Sequence, residues 1–436
     1  MKTKGQKWTI AVSLSLFYLF PSLLQAEWQR FRGENGAAIS IHAKLPHTWT
    51  DTENIQWKLK LPGPGSSSPV ISGDKVFVTA YSGYGLPSGG GGEKADLKRH
   101  LICIDRQSGK VRWSREVDSV PEEDRYSRQL GEHGYASHTP VTDGKTIYAF
   151  FGKSGVFAYD LEGNQKWQTD VGRESGPRGW GSASSPILHG DKVIVTPSDE
   201  GLAIVALDAK TGKEVWKVDS DKFESTYCTP VLADVASGTE LIVVVPREIW
   251  GFDPATGECT WWAHINSERM ASSSVVTRNG IVYITGGGSS TAIRAGGKGD
   301  VSDSHVLWSN REGSGIPSPV LFGDHIYYVT QRGEARCVES QTGKEVYSER
   351  LDASRAGFYA SLVLGGDKLY AFSRESGCFV FEVGPKFNLL AQNTFAGDES
   401  QFNSSPAVAG NQLFVRSNEY LYCLALPNQT VAKATY

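Results

Sequence analysis

The chain has six cysteines, yet no two are adjacent and none are spaced as Cys-x-x-Cys. That excludes a vicinal disulfide, a thioredoxin-type redox pair and the common zinc frameworks. After residue 26 no apolar stretch is long enough to cross a bilayer as a helix, and no segment carries a helical hydrophobic period. Excess basic charge is also missing. Lysine and arginine total 44 against 48 acids, which argues against a nucleic-acid partner. The glycine runs at 89–92 and 286–288 lack the lysine and following helix of a phosphate loop, so they read as turns.

What the sequence does contain is repetition. A strand start, usually proline after serine or threonine, recurs at Pro69, Pro140, Pro186, Pro230, Ser274, Pro319, Leu362 and Pro406. Successive gaps are 71, 46, 44, 44, 45, 43 and 44 residues, so one insertion near the first copy explains the irregularity. A period of this length signals a propeller or a related array. The third copy shows the unit: Ser184-Ser185-Pro186, a Gly190-Asp191 turn, alternating runs at 192–196 and 203–207, then Asp208, Thr211-Gly212-Lys213 and the run to Val218. Four short alternating runs with Gly/Asp/Thr punctuation make an antiparallel meander. The eighth copy stops before its fourth strand, and a strand around Trp57 is placed to supply it. The expected fold is all-β: an eight-bladed β-propeller of four-stranded antiparallel blades, closed by the N-terminal strand. Closure also removes free sheet edges.

Residues 1–26 read as a signal peptide. Lys2, Lys4 and Lys7 precede an apolar run from Ile10 to Phe20 and the sequence Leu24-Gln25-Ala26. The remainder, 27–436, reads as a single propeller domain. Cleavage near Ala26 would leave a periplasmic or extracellular monomer and move the formal charge from −4 to −7. Cys103, Cys337 and Cys423 occupy the slot that holds Ala158, Ala206 and Gly251 elsewhere, which marks them as small packed residues rather than disulfide partners.

The string Asp208-Ala-Lys-Thr-Gly-Lys-Glu-Val-Trp216 and its weaker relatives resemble the pyrroloquinoline-quinone (PQQ)-type propeller repeat. The resemblance covers the chain from Trp28 to Leu426 and extends to the outer-membrane assembly factor BamB and BamB-like proteins. It implies that a recurrent tryptophan docks each blade on its neighbour, here Trp57, Trp113, Trp167, Trp216, Trp261 and Trp308. Blade six has Tyr347 in that slot, and blade seven places Leu389 near it. One branch of the superfamily implies a cofactor-free scaffold whose partner is a periplasmic or envelope protein, or a small ligand. The other implies a quinoprotein dehydrogenase with PQQ and calcium on the axis.

The loops between blades gather at one mouth of such a ring, where a rigid scaffold presents recognition residues. Expected ligand-surface residues are Tyr135, His138, Arg178, Trp180, Tyr227, Arg269, Arg294, Arg311, Phe358, Tyr359 and Phe402. No cofactor or metal site and no catalytic set is assigned. His133 and His138 beside Glu132 could form a metal or acid–base cluster, or could simply cap loops. Glu122-Glu123-Asp124 reads as a solvated acidic loop, and Arg294, Lys298 and Arg311 as a basic group. Recurrent aromatics with arginine also leave a carbohydrate-binding or carbohydrate-active propeller open.

Overall fold

Blade three shows how the pattern becomes structure. Its strands Ile187–His189, Lys192–Val195, Ala203–Asp208 and Glu214–Asp219 pair in sequence order, all antiparallel. The inner strands are apolar on both faces because each blade is sandwiched between two others. The outermost alternates, with Trp216 buried and Lys217 exposed. In the computed structural model, which describes residues 27–87, 92–266 and 270–427, eight such sheets form the ring. The signal-peptide assignment, most of the first glycine run and Arg269 lie outside the described residues. Strand Ile55–Lys60 pairs antiparallel with Tyr420–Leu424 and completes blade eight, as expected.

One register row crosses each blade from axis to rim. In blade three it reads Ile187, Ile194, Ala206, Trp216; in blade one Val70, Phe77, Cys103, Trp113. The small slot therefore lies directly opposite the tryptophan, which explains its restriction to Ala, Gly and Cys. All six cysteines are free thiols, and burial pushes Cys103, Cys337 and Cys423 up to about 12. In blade seven the row ends at Ala391. Leu389 sits past the bulge and is exposed, so it does not occupy the tryptophan slot.

The tryptophan and the Thr-Gly-Lys turn are two halves of one joint. Indole N–H groups of Trp57, Trp113, Trp167, Trp216 and Trp308 donate to backbone carbonyls of Arg106, Leu161, Ala209, Pro254 and Ser340 in the next blade, at 2.9–3.1 Å. Each ring covers a glycine of that same turn. A Cβ on Gly109, Gly163, Gly212, Gly257 or Gly343 would come within 2.4–2.8 Å of the indole.

A second set of links runs around the axis. The backbone N–H of Ser68 donates to the Thr139 hydroxyl, Thr139 to Ser185, Ser185 to Thr229, Thr229 to Ser274, Ser274 to Ser318, Ser318 to Ser361 and Ser361 to Ser405. This places Ser274 one residue before the strand start expected there; Val275 holds the proline slot. Between blades eight and one the link changes. Ser404 donates to the Ser67 carbonyl at 3.0 Å, and the buried Arg416 guanidinium bonds the Ser67 hydroxyl at 2.7 Å.

The segment from Trp28 to Trp49 closes the ring from below. Trp28 bridges to Ile71, Arg30 donates to the Pro230 carbonyl, and buried Arg32 donates to those of Ser318 and Pro319. Ile39–Ser40 then pairs in parallel with the inner strand of blade seven. Trp49 packs on Phe372 and Phe395, beside the blade that lacks a docking tryptophan.

Candidate functional site: an axial funnel

The first strands converge at the mouth opposite this plug, and the loops that feed them surround a cavity of about 420 Å³. Its floor is Phe31 and its lower wall is the ring of Ser185, Thr229, Ser274, Ser318, Ser361 and Ser405. The loops add Glu132, His133, Trp180, Tyr227, Met270, Ile316, Gln331, Tyr359 and Asn403. Trp180 and Tyr227 stack with centroids 6.3 Å apart and planes at 26°. Behind them the Arg178 guanidinium lies 5.1 Å from the Trp180 ring and braces it from the solvent side. Tyr359 is backed in the same way by Arg374, at 4.2 Å.

The blade-one insertion positions one wall. Tyr81, Leu97, Leu130, Tyr135 and Ala136 form a small core of their own above the blade. Two buried ion pairs fasten it: Arg99 with Glu123 at 2.8 Å, and Lys153 with Asp124 at 3.0 Å. The acidic run is therefore not a solvated loop, because two of its three carboxylates meet buried cations, Arg99 of blade one and Lys153 of blade two, that hold the insertion in place. A third pair, Arg374 with Glu132 at 2.7 Å, ties the insertion across the mouth to blade seven, and Arg374 also bonds Asn403 and Gln401.

The two histidines part company. His133 faces the funnel, its Nδ1 2.5 Å from the Ser137 hydroxyl, and burial depresses it to about 4. His138 points away between blades, 3.0 Å from the Ser182 hydroxyl and packed at a tilt against the Phe150 ring; burial depresses it to about 3. Both imidazoles are thus neutral at pH 7. Among the described residues no group of three or more His, Cys, Asp or Glu side chains is placed to hold a metal ion. Nearby, Glu200 is buried with Oε2 unpartnered, and burial raises it to about 7.

Of the residues expected at the ligand surface, Trp180, Tyr227 and Tyr359 line the funnel, and Arg178 supports one of them. Tyr135, Phe358 and Phe402 are buried structural aromatics: Tyr135 packs in the insertion core, Phe358 on Phe379, and Phe402 on Phe395. Arg294 and Arg311 do not form one basic group. Arg294 ends a strand opposite Ile281 on the plug side, whereas Arg311 follows Asn310, which pairs with the start of that strand. The strand separates them by about 13 Å. Phe31 and Gln331 were not legible as site residues. Phe31 lies in a segment outside the repeat, and Gln331 in a hairpin turn within blade six rather than a loop between blades.

Sequence and structure comparisons agree on the architecture. The family described as outer membrane protein assembly factor BamB matches over residues 40–176, 135–349 and 201–435. BamB from Moraxella catarrhalis superposes with a TM-score of 0.62 at 13% identity, covering 86% of this chain and 98% of that one. The computationally designed Ika8 protein superposes at 0.58 and 12% identity, covering 84% and 98%. A polyvinylalcohol dehydrogenase from Pseudomonas sp is 21% identical over 274 residues, which span 59% of this chain and only 36% of that relative.

Proposed function

The chain belongs to the family of outer membrane protein assembly factor BamB, and on that footing we propose that it is an exported, non-catalytic binding propeller. Its ligand site is the axial funnel, which takes an uncharged, hydroxyl-bearing ring of a small molecule or of an envelope partner. One observation carries this reading. The funnel combines aromatic faces with a ring of hydroxyls and two amides, while among the described residues its ionisable lining groups besides tyrosine are Glu132, paired with Arg374, and the neutral His133. Aromatic faces supply area and the hydroxyls and amides supply orientation. Among the described residues, an acid–base pair poised near neutrality is not part of that lining.

The same donor set speaks against a quinoprotein dehydrogenase. PQQ is a tricarboxylate and calcium takes several oxygen ligands, preferably with carboxylates among them. Among the described residues no lysine or arginine lines the funnel, and its single carboxylate is committed to Arg374. The similarity to a polyvinylalcohol dehydrogenase is compatible with a hydroxyl-rich ligand without its chemistry.

Melting curves test the choice. A ligand that binds only the folded state raises Tm with concentration. Saturating PQQ with Ca²⁺ should leave Tm unchanged, while a neutral oligosaccharide should raise it; a saturable rise with PQQ and Ca²⁺ would reinstate the dehydrogenase reading.

A further inference from the structure

Beside the funnel mouth lies a second depression. Arg332, Arg350 and Arg355, with Gln331, Ser354 and Ala356, line a cleft of about 410 Å³. Arg332 sits in the turn between the second and third strands of blade six, Arg350 ends its last strand, and Arg355 lies in the loop to blade seven. All three side chains are exposed, and within the described residues none has an ion pair or hydrogen bond. The acid facing Arg350 is already engaged, whereas Glu349 and Asp352 are exposed and without an ion pair among the described residues. Glu334, directly across the sheet from Arg350, pairs at 2.8 Å with Arg336, which also holds Glu312 and Glu345. Three unpartnered guanidiniums on one cleft form a local basic patch in an acidic protein, and such a patch attracts anions.

The cleft and the funnel each share lining residues with a third space. A groove of about 650 Å³ runs between them, bordered by Glu132, Tyr359, Gln331 and Arg355. Gln331 borders all three spaces, Tyr359 the funnel and groove, and Arg355 the groove and cleft. We propose that this track binds an acidic oligosaccharide, with one sugar ring on the Trp180–Tyr227–Tyr359 surface and carboxylate or sulfate groups on the three arginines. The assignment rests on the funnel reading above. Sugar rings present flat C–H faces to aromatics and hydroxyls to Gln331, Asn403 and the serine ring, and planar guanidinium forks match carboxylate and sulfate oxygens.

Calorimetric titration of residues 27–436 with an oligogalacturonate, its neutral methyl ester and a sulfated oligosaccharide tests it. The acidic sugars should bind roughly tenfold tighter than the ester at low ionic strength, and the advantage should fade in high salt. The triple variant Arg332→Ala/Arg350→Ala/Arg355→Ala should lose that advantage with ester binding and Tm unchanged, whereas Trp180→Ala should weaken all three sugars. Equal affinity of acid and ester for the wild type would overturn the arginine cleft and leave the funnel standing. Acid binding that is indifferent to Trp180→Ala but lost in the triple variant would overturn the funnel instead, and the saccharide class with it. Equal, arginine-dependent binding of a glutamate-rich peptide would also overturn the saccharide class, and failure of all three sugars to bind would overturn both readings.

Discussion

Blades three and four meet in one way and blades four and five in another, although both joints start from a tryptophan at the same place in the repeat. At the first, the Trp216 N–H reaches the Pro254 carbonyl of the next blade, and the ring lies on Gly257. At the second, blade five has no Thr-Gly-Lys turn to receive Trp261. The indole N–H turns instead to the Glu240 carboxylate of its own blade at 2.7 Å, and Glu240 also accepts from the Gly296 backbone at 3.0 Å. The residues that replace the turn add a short parallel strand, Gly299–Asp300, beside Trp261 and Trp262. The tryptophan is therefore half of a joint. Where the other half is missing, a buried carboxylate and a sheet extension take over.

The largest effect is expected from filling a joint glycine. Gly257→Val would force a β-branched residue to a φ of +77° with Cβ 2.7 Å from Trp216, costing about 4 kcal/mol or more in denaturant unfolding. Gly299 is also at positive φ but meets nothing within 4 Å, so Gly299→Ala should cost only about 1 kcal/mol. Equal costs would break the contrast between the joints. Glu240→Ala leaves the buried Trp261 N–H and the part-buried Gly296 N–H without their acceptor and should cost about 2–3 kcal/mol by the same assay.

A second buried carboxylate sharpens the point. Glu240 receives two close donors, whereas Glu200 receives the Ser182 N–H at a long 3.4 Å and has Oε2 unpartnered, and burial raises it from 4.5 to about 7. The folded protein therefore keeps a proton on Glu200 that the unfolded chain releases between these values. That contribution is complete below pH 4.5 and is lost as pH rises through 7. Glu200→Gln should consequently stabilise the protein by about 2 kcal/mol at pH 8 and by nothing near pH 4. His138 works in the opposite sense. Depressed from 6.5 to about 3, it contributes stability above 6.5 that is lost progressively as pH falls. The Glu200→Gln variant should therefore lose stability more steeply than the wild type between pH 6.5 and 4.5, and parallel pH profiles of Tm would contradict this.

Much of the construction was legible in the sequence because each joint writes the same residues into every repeat. The eight copies, closure through Trp57, five of the six docking indoles and the small slot beneath them follow from that repetition; Trp261 does not, because blade five lacks the turn that would receive it. What escaped was local or distant. Val275 rather than Ser274 starts blade five, because three consecutive serines hide which one bonds the next blade. Ala391 rather than Leu389 ends the row in blade seven, since the bulge shifts the register there. The plug could not be read at all: Arg30 and Arg32 bond residues 200 and 286 positions away, and no repeat marks them. At the mouth, Trp180, Tyr227 and Tyr359 were identifiable from their loops, whereas Tyr135, Phe358 and Phe402 carried the same signal but serve packing.

The smallest stability effect and the largest binding effect should coincide at Trp180, which lines the funnel without closing any joint. Replacing it with alanine should cost less than about 1 kcal/mol, since it is partly exposed. Titration of the wild type and Trp180→Ala with one neutral oligosaccharide is the most direct measurement of the division between joints that build and a mouth that binds. The expected result is saturable binding to the wild type, weakened roughly tenfold or more in the variant at nearly unchanged Tm. Undiminished binding to Trp180→Ala, or a loss of binding that merely follows a collapse in Tm, would contradict it.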